Sequence, residues 1–137
     1  MRFSLPFLLT LGLTGCAGPL PAPDPDMARV DLRAEGIDTF MSDQLDGKRT
    51  PDGRFFLVGP GAHELEARYE FEISGGGGMG DFGETQYLRC TMVINYDHFQ
   101  PGEHYLFQAR SLGFTPQGWL RDADGNVVAH AEAEHCY

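Results

Sequence analysis

The chain has few basic residues, no long apolar run and no common catalytic motif, and each absence argues against a class of function. Only 10 of its 137 residues are Lys or Arg, against 20 Asp or Glu, so the formal net charge is -10. Nucleic-acid binding needs a basic surface for phosphates, and this balance argues against it. The sequence contains no Gly-x-Ser-x-Gly, Cys-x-x-Cys or His-Glu-x-x-His, the signatures of serine hydrolases, thiol redox proteins and zinc proteases.

The longest apolar run lies at the N-terminus, from Leu5 to Leu13, and follows a single positive charge at Arg2. A mature membrane-spanning helix needs about 20 residues, so this run is too short to be one. A basic start followed by a short apolar stretch is typical of a secretory signal peptide. We therefore expect an exported protein.

The end of this run resembles the lipobox of bacterial lipoproteins, because Leu13-Thr14-Gly15 precedes Cys16. The resemblance implies that residues 1–15 are removed and that the Cys16 sulfur carries a diacylglycerol. In that family Asp after the cysteine marks retention in the inner membrane. Ala17 stands there instead, which implies an outer-membrane anchor. The alternative is a plain secretory signal with an incidental cysteine.

Residues 16–27 are predicted to form a proline-rich tether. Pro19, Pro21, Pro23 and Pro25 occupy every second position, and proline removes the N–H donor that helices and interior strands need. As an extended polyproline II segment, residues 17–26 would span roughly 30 Å at about 3.1 Å per residue. Residues 28–137 are then left as one folded domain.

With Cys16 assigned to lipid, the mature chain retains Cys90 and Cys136. In an oxidising compartment two remaining cysteines usually pair, so we predict a disulfide between them. Closing this loop would stabilise the fold by roughly 4 kcal/mol in the chain-entropy model. A metal pair or a reactive thiol are the alternatives.

Two segments have the alternation of half-buried strands. From Leu65 to Ile73 apolar and charged residues alternate strictly, and a second strand is predicted at about Gln86 to Tyr96 with Cys90 on its more apolar face. Further short strands are predicted near 29–32, 54–58, 104–110, 118–121 and 127–133.

Turn signals such as Asp124-Gly125 separate these strands. Residues 35–45 fit either a short helix or a strand. The pattern predicts an all-β fold, a small antiparallel β-sandwich of about seven strands or a small barrel, with one disulfide. No βαβ spacing is present, which argues against a doubly wound nucleotide-binding fold.

The segment Leu45-Asp46-Gly47-Lys48, followed by Leu57-Val58-Gly59-Pro60-Gly61-Ala62-His63-Glu64-Leu65-Glu66-Ala67, resembles the small β-sandwich modules called PEGA-like. The later run from Phe99 to Leu106 is similar to a strand of small bacterial lipoproteins of unknown function. The resemblance implies a β-sandwich and carries over no catalytic residue.

Six glycines lie between residues 75 and 83, in the loop predicted to join the two longest strands. A phosphate cradle would need a following helix, and a strand follows here. Met79 and Phe82 are apolar residues on this loop and are candidates for contact with a partner. The alternative is a linker without a role.

Histidine and acidic residues offer no metal motif with the right spacing, so no metal ion or other cofactor is predicted. His98 and His104 flank Pro101-Gly102, and a two-residue hairpin there would place them on opposite faces. Residues 122–126 superficially resemble a calcium loop, but the glycine and the final acid fall at the wrong positions, and a hairpin tip is the better prediction.

These observations predict a lipid-anchored envelope protein that is not an enzyme and acts as a binding or assembly module. Loss of Arg2 with the leader makes the net charge -11, which disfavours anionic lipid and nucleic acid and is compatible with a basic protein partner. A cell-wall glycan hydrolase and a metal-binding envelope protein are the alternatives. Two carboxyls in a deep pocket, one with a raised pKa, would favour the hydrolase, and an apolar patch near the glycine loop would favour the binding module.

Overall fold

The computed structural model describes residues 18–73 and 85–137, and these residues form ten strands and no helix. In chain order the strands are β1 (Ala28–Ala34), β2 (Thr39–Leu45), β3 (Lys48–Arg49), β4 (Phe55–Val58), β5 (Gly61–Ile73), β6 (Gln86–Phe99), β7 (His104–Leu112), β8 (Thr115–Arg121), β9 (Val127–His130) and β10 (Glu132–Glu134). This part of the chain accordingly has no helix that could cross a bilayer.

The strands form two five-stranded sheets around one core, which confirms the predicted all-β sandwich. Sheet 1 has the order β4-β1-β7-β8-β9, and sheet 2 has the order β10-β6-β5-β2-β3. Alternate residues of β5 and β6 face the core, including Leu65, Tyr69, Phe71 and Met92, all fully buried. The alternation read from the sequence therefore gives the correct faces of both long strands.

The ambiguous segment at residues 35–45 contains strand β2. Phe40 and Ser42 point inward at period two, and β2 pairs antiparallel with β5. A bulge lies between Ser42 and Gln44, where the backbone N–H of Ser42 bonds to Gly53 instead. Pairing with the long strand β5 thus decides in favour of a strand, because it satisfies the backbone groups along this segment.

Ten strands replace the predicted seven partly because the last one divides. After β9 in sheet 1, the chain bends at Ala131 and continues as β10 in sheet 2. The Ala131 N–H bonds to the carbonyl of Gly118 at 2.9 Å. This strand therefore joins the two sheets along one side of the sandwich.

The predicted turn at Pro101-Gly102 is present, but it does not form a hairpin. Strand β6 ends in sheet 2 and β7 begins in sheet 1, so the turn crosses between sheets, and His98 and His104 lie on different sheets. Strand β7 instead pairs in parallel with β1. The chain crosses between the sheets here because the crossing buries Phe99 and Tyr105. Their rings pack edge to face across the end of the core, with the ring centroids 5.1 Å apart.

The predicted disulfide is confirmed. The Cys90 and Cys136 sulfur atoms are 2.07 Å apart and their Cα atoms 4.1 Å apart. Beside this bond Arg89 and Tyr137 exchange two backbone hydrogen bonds of 2.9 Å. The crosslink therefore fastens the last residues of the chain to β6.

Residues 18–26 are exposed and form neither helix nor strand, yet they lie against the sandwich. An Arg54 guanidinium nitrogen donates to the Gly18 carbonyl at 3.2 Å, and the Gly102 N–H donates to the Met27 carbonyl at 3.1 Å. A Cβ added to Gly102 would lie 3.3 Å from the Pro25 carbonyl oxygen. The segment expected to act as a spacer is thus attached to the domain at both ends.

Candidate functional site

A cleft of about 290 Å³ lies where the β2–β3 hairpin meets the edge strand β4. Its apolar wall consists of Leu45, Pro51, Phe55 and Leu57. Its polar residues are Asp46, Lys48, Arg49, Thr50 and Asp52. A small apolar cavity with a few polar groups is the usual form of a small-ligand site, although this volume is at the lower end of the range of roughly 300–1,000 Å³.

Hydrogen bonds hold both cleft carboxylates in the ionised form. The backbone N–H of Glu64 donates to Asp46 at 2.9 Å and His63 Nδ1 lies 2.6 Å from its other oxygen, and these bonds lower the Asp46 pKa. The side chain and then the backbone N–H of Arg54 donate to Asp52 and lower its pKa to about 2. A glycosidase general acid needs a raised pKa, so neither carboxyl suits that role.

Large apolar side chains are exposed at the end of the sandwich opposite the N-terminal segment, here called the apolar end. Ile37 lies between β1 and β2, Tyr87 at the start of β6, and Leu112 and Phe114 in the β7–β8 turn. Their exposed fractions are 87%, 62%, 55% and 67%, respectively. Grouped exposed apolar residues of this kind mark interaction surfaces more often than isolated ones do.

A single buried hydroxyl brings two parts of the apolar end together. The Tyr69 hydroxyl donates to the Asp38 carboxylate at 2.5 Å, and the side chain of Ser111 lies close enough to this hydroxyl to lower its pKa. Burial is the main cause of the raised Tyr69 pKa, followed by the bond to Asp38. Because Ile37 precedes Asp38 and Leu112 follows Ser111, the two exposed apolar side chains belong to neighbouring segments.

The predicted site residues fall into two groups. Cys90 and Cys136 form the disulfide described above. The predicted lipid attachment at Cys16 and the predicted partner contacts at Met79 and Phe82 lie outside the described residues. Strand β5 ends at Ile73 and β6 begins at Gln86, both at the apolar end.

The described residues, 18–73 with 85–137, contain no group of three or more His, Cys, Asp or Glu side chains arranged to hold a metal ion. Residues 122–126 form the predicted hairpin tip: Asp122 Oδ1 accepts bonds from the backbone N–H groups of Asp124 and Asn126 at 3.0 and 2.8 Å. The bond from the Asn126 N–H is the largest cause of the lowered Asp122 pKa. The aspartate therefore organises its own turn.

Sequence reasoning missed both the cleft and most of the apolar end. Leu112-Gly113-Phe114 had a readable signal, since two large apolar residues flank a glycine with φ +61 in a turn. The cleft had none: its residues all lie between Leu45 and Leu57, but the sequence does not show that this stretch passes from sheet 2 to sheet 1 and leaves a cavity between them. A scan against protein-family models and searches of curated proteins and solved structures find no match to this chain.

Proposed function

We propose that this chain is a lipid-anchored, non-enzymatic binding or assembly module of the bacterial cell envelope, held in the outer membrane through Cys16. The lipobox-like segment ending at Cys16 and the following Ala17 support the anchor and its membrane. The Cys90–Cys136 disulfide supports an oxidising compartment outside the cytoplasm. In its fold the chain would resemble the PEGA-like modules.

The observation that carries the binding role is the apolar end. Ile37, Leu112 and Phe114 are more than half exposed, and they lie at the opposite end of the sandwich from Met27, where the N-terminal segment meets β1. A module anchored through that segment would therefore leave these side chains free for a partner. Met79 and Phe82 stay proposed partner contacts, because β5 ends at Ile73 and β6 begins at Gln86 at that same end.

The cleft favours binding over glycan hydrolysis. Its two carboxyls, Asp46 and Asp52, both have lowered pKa values, whereas protonation of a glycosidic oxygen requires an acid that keeps its proton near neutral pH. The protein partner we propose docks at the apolar end and leaves the cleft uncovered.

The anchor is tested with the full chain produced in a lipoprotein-processing bacterium fed an alkyne-labelled fatty acid. We expect label on a peptide that begins at Cys16, outer-membrane density on a gradient, and loss of both in Cys16→Ser. An uncut leader, or an unmodified thiol at residue 16, contradicts the anchor.

The docking surface is tested by photocrosslinking in the same cells. A photoreactive amino acid at position 37 should give one discrete protein adduct, and one at Gln100, exposed in the turn between β6 and β7, should not. Leu112→Ser/Phe114→Ser should reduce the adduct at least fivefold, as should Met79→Ser/Phe82→Ser. The control Val127→Ser changes an apolar side chain, 42% exposed, outside the apolar end. Equal adducts from positions 37 and 100, or from all variants, contradict the proposal.

A further inference from the structure

The two outer faces of the sandwich carry opposite charge. Side chains alternate along each strand, so the residues between the buried ones point away from the core. On sheet 1 the outward charged residues are Arg29, Asp31, Arg33, Arg110 and Arg121. On sheet 2 the outward acids are Asp43, Glu64, Glu66, Glu70, Glu72, Glu132 and Glu134, against Arg49, Arg68 and Arg89. The strongly negative net charge therefore conceals a basic face.

On sheet 1 neutral groups orient two of the arginines and leave their charge uncompensated. The Arg110 Nε donates to Gln117 at 3.1 Å, and the Arg121 Nε donates to Gln108 at 2.7 Å. Both guanidinium groups also lie over the Trp119 ring, with Cζ 5.2 and 5.7 Å from its centroid. A guanidinium held in this way keeps its positive charge and its fixed donor geometry for an external carboxylate.

On sheet 2 the arginines are already neutralised. Arg68 lies 3.4 Å from Asp43, and Arg89 donates two hydrogen bonds to Glu70. Among the remaining acids, Glu66 has a raised pKa, caused first by partial burial and then by the neighbouring carboxylates of Glu64, Asp43 and Glu134. A cationic partner on this face would relieve that repulsion.

We propose that the outer face of sheet 1 binds the outer face of sheet 2 on a second copy of this chain. Five strands spaced about 4.8 Å apart and about seven residues long give roughly 500 Å² per face, so one contact buries roughly 1,000 Å² in total. That is the size of a weak, specific interface. Because each copy uses two different surfaces, the contact repeats from head to tail and forms an open row of copies.

Trp119 lies on the basic face in contact with Arg110 and Arg121, and it is the only tryptophan of the chain. Trp and Arg are the residues most often found to dominate the energy of an interface. The fluorescence of Trp119 therefore reports directly on this contact.

Two charge-reversed variants of the full chain test the proposal by complementation. Arg110→Glu/Arg121→Glu makes both outer faces acidic. Glu66→Lys/Glu132→Lys changes two acids that lie in one row across β5, β6 and β10 on either side of Val93, and it weakens the acidic face. Sedimentation velocity in density-matched detergent and Trp119 emission are measured for each variant alone and for an equimolar mixture.

The unaltered chain should sediment faster as its concentration rises at 20 mM salt and return to single copies at 500 mM salt, because screening shortens the range of these charges. Each variant alone should show at least a tenfold weaker association. The mixture should regain a 1:1 complex, since one variant keeps the acidic face and the other keeps the basic face. Formation of the disulfide and an unchanged unfolding midpoint show that both variants fold.

Arg54→Glu is the control for Arg110→Glu, because it makes the same charge change outside both faces, and it should associate normally. A chain that stays as single copies throughout, or variants that fail to complement each other, overturns the proposal. If poly-glutamate binds the unaltered chain and loses tenfold affinity in Arg110→Glu while self-association is absent, the basic face serves a different acidic partner and the second-copy assignment is wrong.

Discussion

Tyr69 and Asp38 join the core of sheet 2 to the connection between β1 and β2 through a hydrogen bond of 2.5 Å. The Tyr69 ring is fully buried and stacks on Phe71 with the ring centroids 5.0 Å apart. Its hydroxyl therefore has a fixed position, and its bond to Asp38 holds the loop that carries the exposed Ile37. The packed core thus restricts the motion of the Ile37 loop, which is one part of the proposed contact surface.

Replacing Tyr69 by Phe should lower the free energy of unfolding by about 1.5–3 kcal/mol, the usual effect of losing a hydrogen bond to a charged group. Urea unfolding measures this loss. Tyr87→Phe is the matched control, because Tyr87 is 62% exposed, and it should change stability by less than about 0.5 kcal/mol. Equal effects of the two substitutions would show that the Asp38 bond contributes nothing.

Removing the disulfide with Cys90→Ala/Cys136→Ala should cost about 2–5 kcal/mol, because the reduced chain gains conformational freedom when unfolded. Urea unfolding of the oxidised protein and the double variant gives the difference. Intact mass after alkylation provides the independent check: the oxidised protein should take up no reagent at these two positions without reductant. Alkylation of both thiols in native protein would contradict the bond.

The Asp52–Arg54 pair should make stability depend on acid. The pKa of Asp52 is lowered from 3.8 to about 2 in the folded chain, so its contribution is present above pH 3.8 and is lost as the pH falls through 2. The gap in unfolding midpoint between the unaltered chain and Asp52→Asn should be constant from pH 7 to pH 5 and close by pH 2. A difference between the two midpoints that grows in acid would mean that the pKa of Asp52 is raised in the folded chain, the reverse of the expected direction.

Gly118→Ala should destabilise the fold by about 1–3 kcal/mol, the cost of overpacking. A Cβ there would lie 3.0 Å from the Ala131 Cβ and 3.2 Å from the Gln108 carbonyl oxygen, at the position where the last strand moves between sheets. Gly59→Ala is the control, since its nearest neighbour would be His63 at 3.7 Å. Thermal unfolding of both variants separates the two cases, and equal midpoints would refute the close approach at Gly118.

The sequence predicted those parts of the fold whose signal is local. Strict alternation from Leu65 to Ile73 is visible in the chain because a half-buried strand repeats every two residues. The disulfide was predicted from the count of cysteines and from the expectation of an oxidising compartment. Asp124-Gly125 identified a true hairpin because only a few residue types accept that turn, and Gly125 has φ +86.

Pairing between distant segments could not be read in this way. A turn such as Pro101-Gly102 does not reveal whether its two strands stay in one sheet, because the choice depends on which side chains fill the core. In the parallel pairing of β1 with β7, Val30 lies opposite Tyr105, and no local pattern in the sequence predicts this pairing. The net charge gave no indication of the basic face for a related reason, because it sums Arg110 and Arg121 with acids that lie on the opposite face.

The attachment of residues 18–26 to the sandwich fixes more than their own position. With Gly18 bonded to Arg54, an acylated Cys16 would be at most about 7 Å of chain away from a residue fastened to the domain. Such a protein could not swing freely at the end of a long linker. It would keep one orientation, with Arg54 and the neighbouring cleft close to the headgroups, so a partner would have to approach from the aqueous side.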